Sequence, residues 1–238
     1  MTIHDVVAEF SGDSSWHEET LYLSGGSLTR GLSRPVSSER EPLPPGQVWG
    51  KRFVVYAAMG VQHVDPASWR LEVTGLVRRP LSIGYDELAR MPMAAHSKSF
   101  HCVTSWSIES PLWEGVPIRR LVEAAGPKPE ATWVMFHCVD GYTAPVPLQD
   151  AMAEDSIIAL RLNGRPLSPE QGFPARPFVP RLYAWKSAKW LTKLELIAEY
   201  ADGYWERAGY HERGDVATEE RFKRPGAKAQ ARRAFGTA

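Results

Sequence analysis

The apolar runs of this 238-residue chain are short, and each is cut off by a proline, a glycine or an Asx-Gly pair. That feature excludes long helical bundles and regular βαβ repeats, which need helical periodicity over ten or more residues. Residues 69–73, WRLEV, alternate as a strand does and end at Thr-Gly. Residues 132–138, TWVMFHC, read as a buried strand closed by Asp140-Gly141, and 157–162, IIALRL, as a strand turning at Asn163-Gly164. Residues 190–200, WLTKLELIAEY, give a longer alternating strand. Short helices are expected over 85–91, stopped by Pro92, over 117–125, stopped by Gly126, and over 148–153. Strands and short helices in this mixed order predict an α+β fold with mixed or antiparallel sheets in one domain.

Lys+Arg and Asp+Glu each number 28, so no net field draws nucleic acid or an anionic membrane. Charged residues interrupt every apolar run, so no membrane span is expected. The polar, acidic start lacks a basic region followed by an apolar one, and the reading is cytoplasmic. Residues 1–45, rich in Ser, Gly, Arg and Pro, read as a partly disordered extension, and 222–238 as a basic tail. The domain is therefore expected over 46–221. Two cysteines, Cys102 and Cys138, rule out a disulfide framework.

The string Phe-His-Cys-Val occurs twice, at 100–103 and 136–139. In an extended chain adjacent side chains point to opposite faces, so a His and the next Cys do not share a metal. This argues against zinc. Cys138, inside an apolar strand, reads as an inert buried thiol. Cys102 is followed by Thr104, Ser105, Trp106 and Ser107, a polar loop-like stretch, and reads as either a ligand, a nucleophile or a core filler. A second cluster spans 173–190, FPARPFVPRLYAWKSAKW, with Arg176, Arg181, Lys186, Ser187 and Lys189 around Tyr183 and Trp185. Its donors suit a phosphate and its rings a flat heterocycle, or else it is a solvated basic face.

Together these clusters resemble the sulfite-oxidase-type molybdopterin oxidoreductase domain, in its short soluble form. The resemblance covers residues 49–222, about three quarters of the chain. It rests on WRLEVTGLVRRPLSIGYDELARMP, FHCVTSWSIESPLWEGVPIRRLVEAAGPKPEA, FHCVDGYTAPVPLQDAM, IIALRLNGRPLSPEQG, LYAWKSAKWLTKLEL and GYWERAGYHERGD, in family order.

The resemblance implies a molybdenum-molybdopterin cofactor with Cys102 as thiolate ligand to the metal. It implies cofactor contacts from Gln171, Arg176, Lys186, Ser187, Ala188 and Lys189, and less directly from Val55, Tyr56 and Cys138. Thr104, Ser105 and Trp106 are expected to orient Cys102. Arg181, where the family commonly has Gly, is expected either to reach the site as an anion clamp or to crowd it. It joins Tyr183 and Cys102 as the catalytic set. The segment 53–57 reads FVVYA and lacks the family's Arg and His for anionic sulfite. Phe173, Pro177 and Ala184 depart from the family pattern as well. The implied reaction is two-electron oxygen-atom transfer on a small oxo compound, sulfite- or sulfoxide-like. Electrons are exchanged with a separate haem or flavin protein. The alternative is a catalytically degenerate pterin-binding or interaction protein of the same fold.

Overall fold

The computed structural model describes residues 41–57 and 59–224. Most of the expected extension, residues 1–40, and of the tail, residues 225–238, lies outside the described residues. In chain order the strands are β1 (Val48–Trp49), β2 (Arg70–Gly75), β3 (Leu81–Gly84), β4 (Ala94–Ser97), β5 (Phe100–His101), β6 (Trp106–Ile108) and β7 (Leu112–Pro117). There follow β8 (Trp133–Cys138), β9 (Thr143–Pro147), β10 (Ile157–Leu162), β11 (Arg165–Pro166), β12 (Arg176–Phe178) and β13 (Leu191–Ile197). The helices are α1 (Tyr85–Arg90), α2 (Ile118–Ala125) and α3 (Leu148–Ala151). Mixed sheets with a few short helices are the architecture expected from the sequence.

One five-stranded sheet runs β3-β2-β13-β8-β9, with β13 parallel to β2 and antiparallel to β8. A second runs β11-β10-β7-β4, with β12 also on β10, and a small third runs β1-β6-β5. Alternation sets the first sheet's faces: Leu71 and Val73 of β2 are buried while Arg70 and Glu72 are exposed. Leu191, Leu194 and Leu196 of β13 go into the same core. Strand β13 begins one residue later than the alternation suggests, because Trp190 sits at φ +57. Gly75 is required where β2 meets β13: its φ is +79, and a Cβ there would lie 2.2 Å from the Leu196 carbonyl oxygen.

Helix α2 buries Ile118, Leu121, Val122 and Ala125, the i, i+3, i+4, i+7 stripe that makes it amphipathic. Pro117 caps its start, and Gly126 at φ 68 ends it in the left-handed conformation. A separate aromatic core lies over the second sheet. Trp113 stacks on Phe178 with centroids 4.5 Å apart, and Phe100 and Phe53 close round them. Phe53 thereby anchors the irregular segment that leaves Val54, Val55 and Tyr56 exposed.

The folded unit is wider than 46–221 at both ends. Glu41 accepts from the Ser99 N–H at 2.9 Å and pairs with Lys98 at 3.4 Å, so the last residues of the expected extension belong to the domain. Phe222 bridges to Tyr210 and packs on its ring, and Lys223 reaches Asp202. Among the described residues no helix is long and apolar enough to cross a membrane.

Candidate functional site

Cys102 sits in the tight turn that joins β5 to β6. The turn is closed by Ser105 N–H donating to the Cys102 carbonyl (3.1 Å) and Cys102 N–H donating to the Trp106 carbonyl (2.9 Å). Ser105 takes φ 78 to make it. The polar sequence after Cys102 therefore does form a loop. Its thiol is half-buried and lies 3.1 Å from the Thr104 hydroxyl. Burial pushes this thiol up from its ordinary pKa, opposed by the Thr104 hydrogen bonds and by the nearby Arg221 charge. A metal at the sulfur would reverse that balance and hold it as thiolate.

Two residues that the sequence reading did not single out hold this turn. Gln47, buried, donates Nε2–H to the Cys102 carbonyl at 3.1 Å. Arg221 donates to the Val103 carbonyl at 2.6 Å. Both come from segments with no motif character, so only their burial and partners reveal them. His101, the neighbour of Cys102, is buried on the opposite face, with Nδ1 2.8 Å from the Ser107 hydroxyl.

Arg176 on β12 is the centre of the basic cluster. Its side chain is buried under the rings of Phe100 and Trp113, 5.3 and 5.6 Å from their centroids. Nη1 donates to the Gln171 carbonyl (3.0 Å) and Nη2 to the Ser187 carbonyl (2.5 Å). Burial lowers its pKa to about 10, which keeps it charged at neutral pH. Its Nε is buried with no hydrogen-bond partner among the described residues. Lys189 donates to the Tyr56 carbonyl (2.6 Å) and the Glu170 carbonyl (3.1 Å). Burial and the Arg176 charge bring its pKa down to about 8.

Gln171, Arg176, Ser187, Lys189 and Tyr56 are thus brought together. Cys138 lies at the end of β8 with its thiol buried and its pKa well above the ordinary value, close enough to Arg176 to feel its charge. His137, on the other face of β8, pairs instead with Glu195 at 2.8 Å. Ala188 is buried in the main core and leaves only its backbone for a ligand. The Tyr56 ring lies 5.9 Å from that of Trp205, and Trp205 lies 4.9 Å from Tyr210, which packs on the same small cluster as Val103, so a run of rings connects the Lys189 side to the Cys102 turn. Tyr183 is fully buried, stacked on Trp185 and covered by the Arg221 guanidinium, 4.9 Å from its ring centroid. Val103 packs against that cluster.

Two expected site residues are corrected. Lys186 is fully buried and spends its ammonium on the Glu206 carboxylate (2.7 Å) and on the Pro145 and Glu212 carbonyls (2.7 and 2.5 Å). Three donors on three acceptors leave none for a phosphate, so Lys186 is a structural cation. Arg181 does not serve as a free anion clamp. Its guanidinium pairs with Asp150 at 3.2 Å and Asp215 at 3.1 Å, in a network shared with Arg213. It does not take positive φ, so no backbone strain follows from the missing glycine.

A soft thiol in a braced turn, a buried guanidinium and an ammonium make up a donor set that could hold a metal carried by a phosphate-bearing cofactor. The residues fit such a group on one observation in particular: the guanidinium of Arg176 is fixed through two arms and keeps Nε–H for an acceptor. Comparison with known proteins names the class. The oxidoreductase molybdopterin binding domain matches residues 58–205, and the chain belongs to that family. It is a molybdenum oxidoreductase whose cofactor is molybdenum-molybdopterin.

The chain is 40% identical over 187 residues to the uncharacterized oxidoreductase YuiH of Bacillus subtilis (strain 168), covering 78% of this chain and 94% of that one. It is 31% identical over 173 residues to a putative protein-methionine-sulfoxide reductase subunit YedZ1 of Azospira oryzae, covering 71% and 66%. It is 28% identical over 173 residues to the protein-methionine-sulfoxide reductase catalytic subunit MsrP of Campylobacter jejuni, covering 66% and 58%. The chain thus spans about three fifths to two thirds of the length of these two reductase relatives. Among solved structures, sulfane dehydrogenase SoxCD from Paracoccus pantotrophus shares the fold, with a TM-score of 0.56 and 24% identity over 63% of this chain and 42% of that one.

Proposed function

We propose that the chain catalyses two-electron oxygen-atom transfer on a small neutral oxo compound of the sulfoxide class, with Cys102 as the protein ligand to the metal. The observation that carries this reading is the braced Cys102 turn, connected to the Arg176–Lys189 donor set by the Tyr56–Trp205–Tyr210 run of rings. When bound, the cofactor supplies the two-electron redox step and the oxo site. Arg176 and Lys189 hold its anionic end, and the Gln171 and Ser187 carbonyls fix the guanidinium that does so.

The uncharged segment at Val54, Val55 and Tyr56 supports a sulfoxide over sulfite. These exposed residues provide no cation to draw a dianion. Relatives named as methionine-sulfoxide reductases support the same class. Tyr183, fully buried against Trp185 and the Arg221 guanidinium, has no exposed phenol to offer a substrate and supports the Cys102 turn through Arg221. Reduction of a sulfoxide consumes two electrons and two protons and yields a thioether and water. The electrons come from a separate haem or flavin protein.

The test is a paired assay on metal-loaded protein: reduction of methyl sulfoxides by a reduced viologen dye, and oxidation of sulfite by ferricyanide. Sulfoxide turnover well above sulfite turnover supports the proposal. Sulfite turnover alone contradicts it.

A further inference from the structure

Arg221 lies beyond the residues matched by the family domain, yet its side chain reaches two residues of the Cys102 turn. It is 15% exposed. Nη1 donates to the Val103 carbonyl at 2.6 Å and reaches the Ser105 hydroxyl at 3.4 Å. Nη2 points the other way, to the Pro45 and Gly46 carbonyls at 3.3 Å each and to Glu219 at 3.5 Å. The face of the guanidinium covers the Tyr183 ring. Arg221 thus sits at a junction. It joins the two flanks of the chain, 45–46 and 219–221, to the residues directly after the thiol, and it brings a positive charge within electrostatic reach of the sulfur.

The space is built for it. Gly46 takes φ +65, and a Cβ there would lie 3.0 Å from Arg221 Nη2 and 2.7 Å from Glu219 Oε1. Ser105, at φ 78, is the strained residue of the turn, and its carbonyl accepts from Val48 N–H at 2.9 Å. A lysine could meet one of these acceptors but not all, because only a planar fork presents donors on two edges at once.

We infer that Arg221 is a positioning residue for the metal ligand: it fixes the geometry of the Cys102 turn and sets the reduction potential of the metal held there. The inference rests on Cys102 being that ligand. A fixed cation beside a thiolate favours the more electron-rich, reduced centre, so its removal lowers the potential. Arg221→Lys keeps the charge and loses the fork. Arg221→Met loses both.

The experiment uses metal-loaded full chain of the parent, Arg221→Lys, Arg221→Met and Cys102→Ala. It reads the thiolate-to-metal absorption, the paramagnetic resonance of the half-reduced metal, and the potential by redox titration. The expected result is a lower potential in Arg221→Met, recovery toward the parent value in Arg221→Lys, and an altered resonance in both. A side chain that only supported the fold would change the metal content and leave the potential of the retained metal alone. An unchanged potential in Arg221→Met overturns the inference. If Arg221→Met does not fold, a resonance of Arg221→Lys superimposable on the parent overturns it equally. Should Cys102→Ala keep the metal and the absorption band, the ligand assignment itself falls, and the inference with it. Loss of the band in Cys102→Ala with no effect at Arg221 removes Arg221 alone.

Discussion

Gln47 Nε2 lies 3.1 Å from the carbonyl oxygen of Cys102, tying residues 55 apart in sequence. The same amide's Oε1 accepts from the Ser107 hydroxyl at 3.0 Å. Ser107 Oγ must therefore accept from His101 Nδ1, 2.8 Å away, which fixes the proton of the neutral ring on Nδ1. Burial lowers the His101 pKa, so the ring stays neutral at pH 7. One buried side chain thus orders both neighbours of the thiol turn.

Replacing Gln47 by Leu removes the acceptor of the buried Ser107 hydroxyl and one of the two donors to the Cys102 carbonyl, which keeps the Ser105 N–H. The expected cost is about 2 kcal/mol of folding free energy. Urea titration reads it as an earlier midpoint at unchanged slope. Metal retention falls in the same variant, because the Cys102 turn has one brace fewer.

Lys186 and Glu206 form an ion pair whose side chains are both 0% exposed. Glu206 Oε1 also accepts from Trp185 Nε1 at 2.8 Å. Glu206→Leu leaves a buried ammonium without its carboxylate and should cost about 3–5 kcal/mol. Adding Lys186→Met to that variant should recover part of the loss, since the uncompensated charge is gone. A double-mutant cycle in urea checks this; strictly additive losses would show that the two residues act independently.

The large elements were legible because each carried its own period. The helix at Ile118–Ala125 and the strand at Ile157–Leu162 lie where the pattern put them, to within a residue. Strands β4 to β7 of the second and third sheets, and edge strand β9 of the first, were not, for a physical reason. Strands β4 to β7 run through Ser, Gly and Pro, and β9 contains Pro145 and Pro147 at a sheet edge, where proline's missing N–H does no harm. Their pairing is decided by long-range register, which no local pattern encodes. In the site, Cys102, Arg176 and Lys189 stood out by residue type and by resemblance. Lys186 looked equally basic on paper, and only its partner Glu206, 20 residues downstream, shows that its charge is spent inside. Gln47 and Arg221 left no signal, because their role comes from what they touch.

Lys189 makes cofactor retention depend on pH. Burial brings its folded pKa to about 8 from 10.5, so the unfolded chain binds the proton more tightly. For the empty protein, this group's contribution to stability therefore improves as pH rises from about 8 to 10.5. For cofactor binding the sign is opposite: the charged ammonium is what attracts a phosphate, and it is lost as pH rises. The bound phosphate raises the pKa, so the loss begins somewhat above pH 8. Molybdenum content after gel filtration at pH 7 and at pH 9.5 should fall in the parent. Lys189→Met should hold less at pH 7 and show no further step.

The most direct test of the account is elemental analysis for molybdenum in protein from a molybdopterin-competent host, comparing the parent with Cys102→Ala and Cys138→Ala. The account predicts near-stoichiometric molybdenum in the parent and Cys138→Ala, each with a thiolate-to-metal absorption, and loss of that absorption in Cys102→Ala alone. A parent free of molybdenum, or a Cys102→Ala variant with the parent's metal content and spectrum, would contradict it.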